Sequence, residues 1–180
     1  MSQLLNDTKI YVSANSLNEQ LSTAITNGDL SPPLTPNWIS VSSPSGYGSS
    51  PGNKIRVYTV VDAHVGSGIT YVPSASNGNN GDKFVAAMAG VYCASVTDRN
   101  NTAQYDVGIT FNDSATTSTL QTVTWAQGFR KMCDQSTGGS FCSVSVCLPM
   151  AVNDFLMVHT DGGPDNTSIY ANFTMTQVAH

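Results

Sequence analysis

The sequence predicts an all-β protein: an antiparallel jelly-roll β-sandwich preceded by an N-terminal arm that carries one short helix. Three observations lead there. Beyond Asn53 short runs of alternating apolar and polar residues recur with turn residues at intervals of about ten, the pattern of a sandwich or barrel. The helical periodicity is confined to the first thirty residues. A chain of 180 residues with 40% hydrophobic content can bury one core of ordinary size, which leaves room for an appendage but not for a second large domain.

The arm comes first. Ser16 and Glu19 form an S-x-x-E capping box, Leu17, Leu21, Ala24 and Ile25 follow at i, i+4, i+7 and i+8 spacing, and Gly28 supplies a stop. A helix of this length falls below the roughly 12 to 15 residues at which isolated helices become marginal, so its apolar stripe has to dock on something. From Ser31 to Asn53 prolines, glycines and serines dominate, interrupted by Trp38, Ile39 and Val41, which reads as an arm pinned across a surface. The expected division is therefore an arm over residues 1–53 and a sandwich over 54–180.

Strands are expected at Ile55 to Val61, Gly68 to Val72, Gly90 to Val96, Tyr105 to Phe111, Leu120 to Thr124, Cys142 to Leu148, Phe155 to Thr160 and Ile169 to Met175. In the sixth of these, Cys142, Val144, Val146 and Leu148 alternate with Ser143, Ser145 and Cys147, giving one apolar and one polar face. Tyr105, Val107, Ile109 and Phe111 do the same against Asp106, Gly108, Thr110 and Asn112. About eight strands with no helix between them favour antiparallel pairing in two packed sheets. Tyr105, Phe111 and Phe173 have strand parity, which places them in the core or at an interface between subunits.

Composition narrows the function. Charged residues are only 11% of the chain, whereas Ser, Thr, Asn and Gln account for 63 of its 180 residues, so the surface is neutral and hydrogen-bonding and suits assembly better than electrostatic capture. A net charge of −5 and a pI near 4.8 remove the basic footprint that nucleic acid requires. No run of about 18 apolar residues predicts a membrane-spanning helix. Met1 to Asn15 lack the marks of an export signal, so Cys93, Cys133, Cys142 and Cys147 are expected as thiols in a reducing compartment. Cys142 and Cys147 would point to opposite faces of one strand, and no zinc-ligand spacing appears.

No enzyme is expected. Gly48, Ser50 and Gly52 spell G-x-S-x-G, but Pro51 follows the serine and offers no N–H for an oxyanion, and neither a preceding strand nor a following helix is indicated. His64, His159 and His180 are expected to be structural or solvent-facing. Asp161, Asp165 and Asn166 lie in a Gly-Gly-Pro connection that needs such residues for its turn, and a third carboxylate for a cation is missing. No cofactor and no metal is expected.

The order of segments resembles a known family. Gly81 to Phe84 followed by Ala89, Gly90, Val91 and Tyr92 is similar to the "GD.F..P..G.Y.F" passage of the C1q and tumour-necrosis-factor-like jelly rolls. Cys142 to Val146, Leu148, Asn153, Asp154, Phe155 and Val158 resemble its "S..V.L..GD.V.V" segment, and Ile169, Ala171, Phe173 and Met175 sit where its last strand ends the fold. The likeness spans Lys54 to Val178. It departs in the missing proline, replaced by Ala87 or Met88, and in Asn153, which stands for glycine yet tolerates the left-handed backbone of a tight turn.

The resemblance implies a homotrimer joined through one sheet, with Tyr105, Phe111 and Phe173 as interface candidates. Similar domains occur in tailed bacteriophages as head decoration proteins, head fibres and fibre tips. By that analogy the expected role is a structural virion protein, made in the host cytoplasm and placed on the capsid surface. Leu4, Leu5, Leu17, Leu21, Ile25 and Trp38 of the arm would grip the major capsid protein or neighbouring virion proteins. The alternative is the receptor-binding tip of a tail fibre, touching a host surface glycan or protein through the loops Asn77 to Asp82, Asp98 to Thr102 and Asp161 to Asn166.

Overall fold

β-branched and aromatic residues at every second position, separated by Gly, Asn and Ser turns, pair here into ten strands. The computed structural model describes residues 36–43, 54–78, 80–99, 105–113, 117–118, 120–135, 141–160 and 170–179. The strands are β1 (Trp38–Ser43), β2 (Val60–Val65), β3 (Ile69–Val72), β4 (Lys83–Ala86), β5 (Gly90–Arg99), β6 (Tyr105–Phe111), β7 (Phe129–Gln135), β8 (Phe141–Met150), β9 (Phe155–Thr160) and β10 (Tyr170–Ala179). They form two five-stranded sheets, ordered β2-β1-β10-β5-β8 and β3-β4-β9-β6-β7, with antiparallel neighbours throughout. The expected all-β jelly-roll sandwich is the observed one.

The inward residues of both sheets meet in one core. Ala171, Phe173 and Met175 of β10, Tyr92, Ala94 and Val96 of β5, and Val107 and Ile109 of β6 are all buried in it. Phe84 and Phe173 stack at 4.0 Å between ring centroids, Tyr71 stacks on Phe84 at 5.4 Å, and Tyr58 meets Phe84 edge-on. Each such side chain contributes about 1.5–3 kcal/mol by leaving water. The Gly-x-Tyr element has a steric cause: a Cβ on Gly90 would lie 2.3 Å from the Ala179 carbonyl oxygen, and two residues on Tyr92 is fully buried with its hydroxyl 2.8 Å from Met88 O.

Polar side chains tie the sandwich together, the first of them buried. Asp82 accepts hydrogen bonds from Tyr58 N–H, Ser74 N–H and the Tyr71 hydroxyl, each at 2.7 Å, so the first Gly-Asp pair works as a clasp between segments. Burial pushes its carboxyl above the ordinary value, and these three donors pull it back. Arg56 and Asp98, both inside the sandwich, form an ion pair at 3.3 Å. At Asn153-Asp154, which stands where the second Gly-Asp would be, Asn153 adopts φ +73, the left-handed turn expected of it, and Asp154 accepts from Ala151 N–H and the Asn112 amide.

Several expectations are corrected. Trp38–Ser43, assigned to the arm, is β1, hydrogen-bonded between β2 and β10 with Ile39 and Val41 in the core, and the compact unit that carries the sandwich runs from Thr35 to His180. Six residues suffice for a strand when two sheet neighbours already offer their edges, and the prolines around them conceal that. Leu120 to Thr124 is no strand: Leu120–Thr122 and Trp125–Gln127 are single 3-10 turns, which bring Leu120 and Val123, three residues apart, onto one side. The strand expected from Ile55 starts only at Val60, with Ile55 and Arg56 pairing instead to β9. β4 and β7 were not anticipated.

The cysteines are not thiols. β5 and β8 pair with Cys93 directly opposite Cys147, and these two are disulfide-bonded. Cys133 of β7 bonds Cys142 of β8, joining the edges of the two sheets. The opposite facing of Cys142 and Cys147 holds, and it sends them to different partners. The helix expected at Ser16 to Gly28, the G-x-S-x-G stretch and the Asp161 to Asn166 connection lie outside the described residues.

Candidate assembly surface

The first sheet turns one face to the core and the other away from it, and the outward positions fall in register. Three rows of four cross β1, β10, β5 and β8: Trp38, Thr176, Cys93 and Cys147; Ser40, Thr174, Ser95 and Ser145; Ser42, Asn172, Thr97 and Ser143. None of these is charged. Small hydroxyl and amide groups pair across strands, Ser95 with Thr174 at 2.8 Å, Thr97 with Ser143 at 2.9 Å, and the Asn172 amide donating to Ser40 at 3.3 Å. Such pairs satisfy one another within the sheet, so a surface covering them need not supply a partner for each.

At the edges the face becomes apolar. Trp38, Val178 and Phe141 are exposed, the last at 62%. The edge strand β2 adds exposed Val60 and Val65, opposite Ser42 and Trp38, and its Asp62 is engaged by the Ser42 hydroxyl at 2.8 Å. A shallow hollow of about 190 Å³ lies over Ser95, Thr97, Ser143 and Ser145, with Lys131 at its rim. That is smaller than the roughly 300–1,000 Å³ of a small-molecule pocket, so the face suits a broad flat contact.

The second sheet is different. Ile55, Leu120, Val123 and Met157 make a second apolar layer on its outward side, outside the inter-sheet core. Gly108 makes this layer possible, because a Cβ there would meet the Lys131 carbonyl oxygen at 2.5 Å and a Leu120 methyl at 2.9 Å. His159 is fully buried within it, its Nε2 2.7 Å from Ser118 O and its Nδ1 2.9 Å from the Asp113 carboxylate. A carbonyl oxygen only accepts, so Nε2 carries a hydrogen. His159 is thus structural, as expected.

The structure redistributes the residues singled out from the sequence. Leu4, Leu5, Leu17, Leu21 and Ile25 lie outside the described residues. Trp38 belongs to β1 and stands on the outward face of the first sheet, so it is part of the candidate surface and not of the arm. Phe173 has no exposure and stacks on Phe84, which removes it from any contact between subunits; Asn172, Thr174 and Thr176 hold the outward positions of that strand. Strand parity separates the two faces but does not say which is the inside. Phe111 is half-buried against the core beneath Arg130, and Tyr105 opens β6.

Two expected contact loops also have interior duties. Asp82 and Asp98 are buried in the clasp and the ion pair, and Asn77 donates its amide to Gly81 O. Among the described residues no three His, Cys, Asp or Glu side chains are grouped to hold a metal. Sequence reading missed the hydroxyl rows, although their signal was present: Ser40/Ser42, Ser95/Thr97, Ser143/Ser145 and Thr174/Thr176 all recur at a spacing of two.

No protein-family model and no curated protein matches the sequence. Solved structures do. The crystal structure of murine APRIL at pH 8.5 superposes with a TM-score of 0.57 over 79% of this chain and 99% of that one, at 9% identity. The globular domain of the zebrafish complement 1qA protein gives 0.55 over 79% and 97%, at 11% identity. The fold is that of the TNF and C1q jelly rolls. Identity this low carries the architecture alone, in agreement with the resemblance read from the Gly-Asp and Gly-x-Tyr passages.

Proposed function

We propose that the chain is a structural subunit of a tailed-bacteriophage virion, a capsid decoration or head-fibre protein. Three sandwiches associate through the outward face of their first sheets, and the residues before Thr35 fasten the assembly to the shell. One observation carries the reading: the first sheet presents uncharged rows edged by Trp38, Phe141 and Val178, while the outward face of the second is occupied by the chain itself. Uncharged rows whose hydroxyls and amides pair with one another, with the carboxylate at their edge, Asp62, already held by Ser42, lose little on desolvation, and the apolar rims gain from burial. The trimer is the state implied by the sequence resemblance, and the low-charge, polar composition suits a shell component. Apolar arm residues such as Leu17, Leu21 and Ile25 would each contribute about 1.5–3 kcal/mol when covered, and three arms on one body multiply the grip through effective concentration.

The test has two parts. Thr174→Arg places a charge in the middle row; sedimentation should show the mass falling from three chains to one with the far-UV spectrum unchanged, and an unchanged trimer would overturn the interface. Removing residues 1–34, which leaves the sandwich unit whole, should preserve the trimer and abolish occupancy on purified capsids. Normal occupancy would overturn the anchoring role.

A further inference from the structure

Trp125 is 66% exposed, more than any other large apolar side chain among the described residues, and it lies neither on the first sheet nor in the loops expected to make contacts. It opens the 3-10 turn Trp125–Gln127, held by a capping box in which Gln127 Oε1 accepts from Thr124 N–H at 3.0 Å and from the Thr124 hydroxyl at 2.9 Å. Behind the indole sits Arg130, its guanidinium carbon 4.5 Å from the Trp125 ring centroid and 4.7 Å from that of Phe111. Arg130 Nη1 donates to Phe129 O at 2.7 Å and Trp125 O at 3.3 Å, which locks the plane of the stack. One indole face is therefore backed by a cation that is itself fixed on a core-packed ring, and the other is open to solvent.

A rigid, exposed aromatic plane loses almost no conformational freedom on binding. The chemistry of its surroundings selects what it binds. The plane is that of one indole, and its exposed neighbours are the Gln121 amide, the Thr122 and Thr124 hydroxyls and the small Ala126 methyl, without the further large apolar anchors that a protein interface of about 800 Å² per partner requires. A nucleobase could stack as well, but the chain carries net charge −5 and the phosphates would be repelled. We propose that the Trp125–Arg130–Phe111 stack is a saccharide platform: a pyranose ring lays its C–H face, weakly positive, on the negative face of the indole. Its hydroxyls reach the Gln and Thr rim. Arg130 is a positioning residue that holds the indole flat. The site is separate from the proposed assembly surface, and each subunit carries its own copy.

The experiment uses the full-length protein labelled with nitrogen-15, whose two tryptophans give two indole N–H signals, assigned with Trp125→Phe. Methyl glycosides of glucose, galactose, mannose and N-acetylglucosamine are titrated in turn. At least one should move the Trp125 signal saturably, with a Kd on the order of 1–10 mM for one stacked ring, and leave the Trp38 signal in place. Trp125→Ala, folded by circular dichroism, should abolish binding followed through shifts of the neighbouring Thr124 and Gln127 amides. Arg130→Lys, which loses the planar stack but keeps the charge, should weaken it about two- to fivefold. An unmoved Trp125 signal with all four sugars, equal movement of both tryptophans, or a response only to an oligothymidylate would each overturn the proposal. The titration reads every subunit alone, so its failure leaves the proposed assembly untouched, and a monomeric protein would still show it.

Discussion

The outward faces of the two sheets begin from the same kind of sequence and end in opposite situations. β6 and β8 both alternate apolar and polar residues, yet Asp106 and Thr110 on the outward side of β6 are buried, whereas Ser143 and Ser145 on that of β8 are exposed. The difference comes from elsewhere in the chain. The connection after β6 returns across its own sheet and seats Leu120 over Gly108, and Val123, Met157 and Ile55 are buried as well. Among the described residues nothing returns across the first sheet. An outward strand face is thus either a second core or an open surface according to which connection crosses it, and the open face of the first sheet is the one that the proposed assembly uses.

Covalent ties give the largest expected effect and separate the faces. Cys93–Cys147 closes a separation of 54 residues on the open face, and Cys133–Cys142 one of 9 at the sandwich edge. By the chain-entropy relation, replacing the first pair with serines should cost about 4 kcal/mol and the second about 2.5 kcal/mol. Urea unfolding of the two double variants checks the order, and a reversed order would mean that the open face does not depend on its crosslink. Leu120→Ala should come next, at about 2–5 kcal/mol, because the covered face is a real core. Thr174→Ala, in the middle row of the open face, should change the stability of the isolated subunit by no more than about 0.5 kcal/mol. Equal losses at the two sites would erase the contrast.

Alkali should act on the interior between the faces. Burial first of all holds the Tyr58, Tyr71 and Tyr92 hydroxyls above their ordinary value of 10.0, with Asp98 adding to the rise at Tyr58 and the Asp82 hydrogen bond adding at Tyr71. Once pH passes 10, unfolded tyrosines release protons that folded ones keep. The folded chain then binds more protons than the unfolded one, so stability is intact below pH 10 and falls as pH rises beyond it, by up to about 1.4 kcal/mol per pH unit per tyrosine. Tyr71→Phe, whose ring lies on Phe84, should flatten that slope in pH-dependent melting. An unchanged slope would show that the Asp82 clasp stays closed in alkali without it.

Much of the architecture was legible because strand periodicity is local. The bounds of β6 and β9 match the expected ones, and the inward parity of β8 and β10 follows from alternation that any pleated strand imposes. Where competing signals were short, the reading failed. β1 is six residues among prolines, Leu120 to Thr124 has strand-like composition but packs as a turn, and the aromatic Phe173 looked equally fit for core or interface. The candidate surface was harder to see than the fold, since Ser, Thr and Asn at every second position are ordinary solvent-facing residues until four strands are laid side by side.

By itself, then, the order of residues determined the all-β class, the strand alternation, the left-handed turn at Asn153 and the neutral character of the surface, all properties of neighbours a few positions apart. Only the tertiary structure decided that Cys93 meets Cys147, that Phe173 faces inward, that Trp38 belongs to a sheet and that the outward face of the second sheet is covered, while among the described residues nothing covers that of the first. These depend on pairing between segments tens of residues apart, and the free energy of such pairing belongs to both partners together.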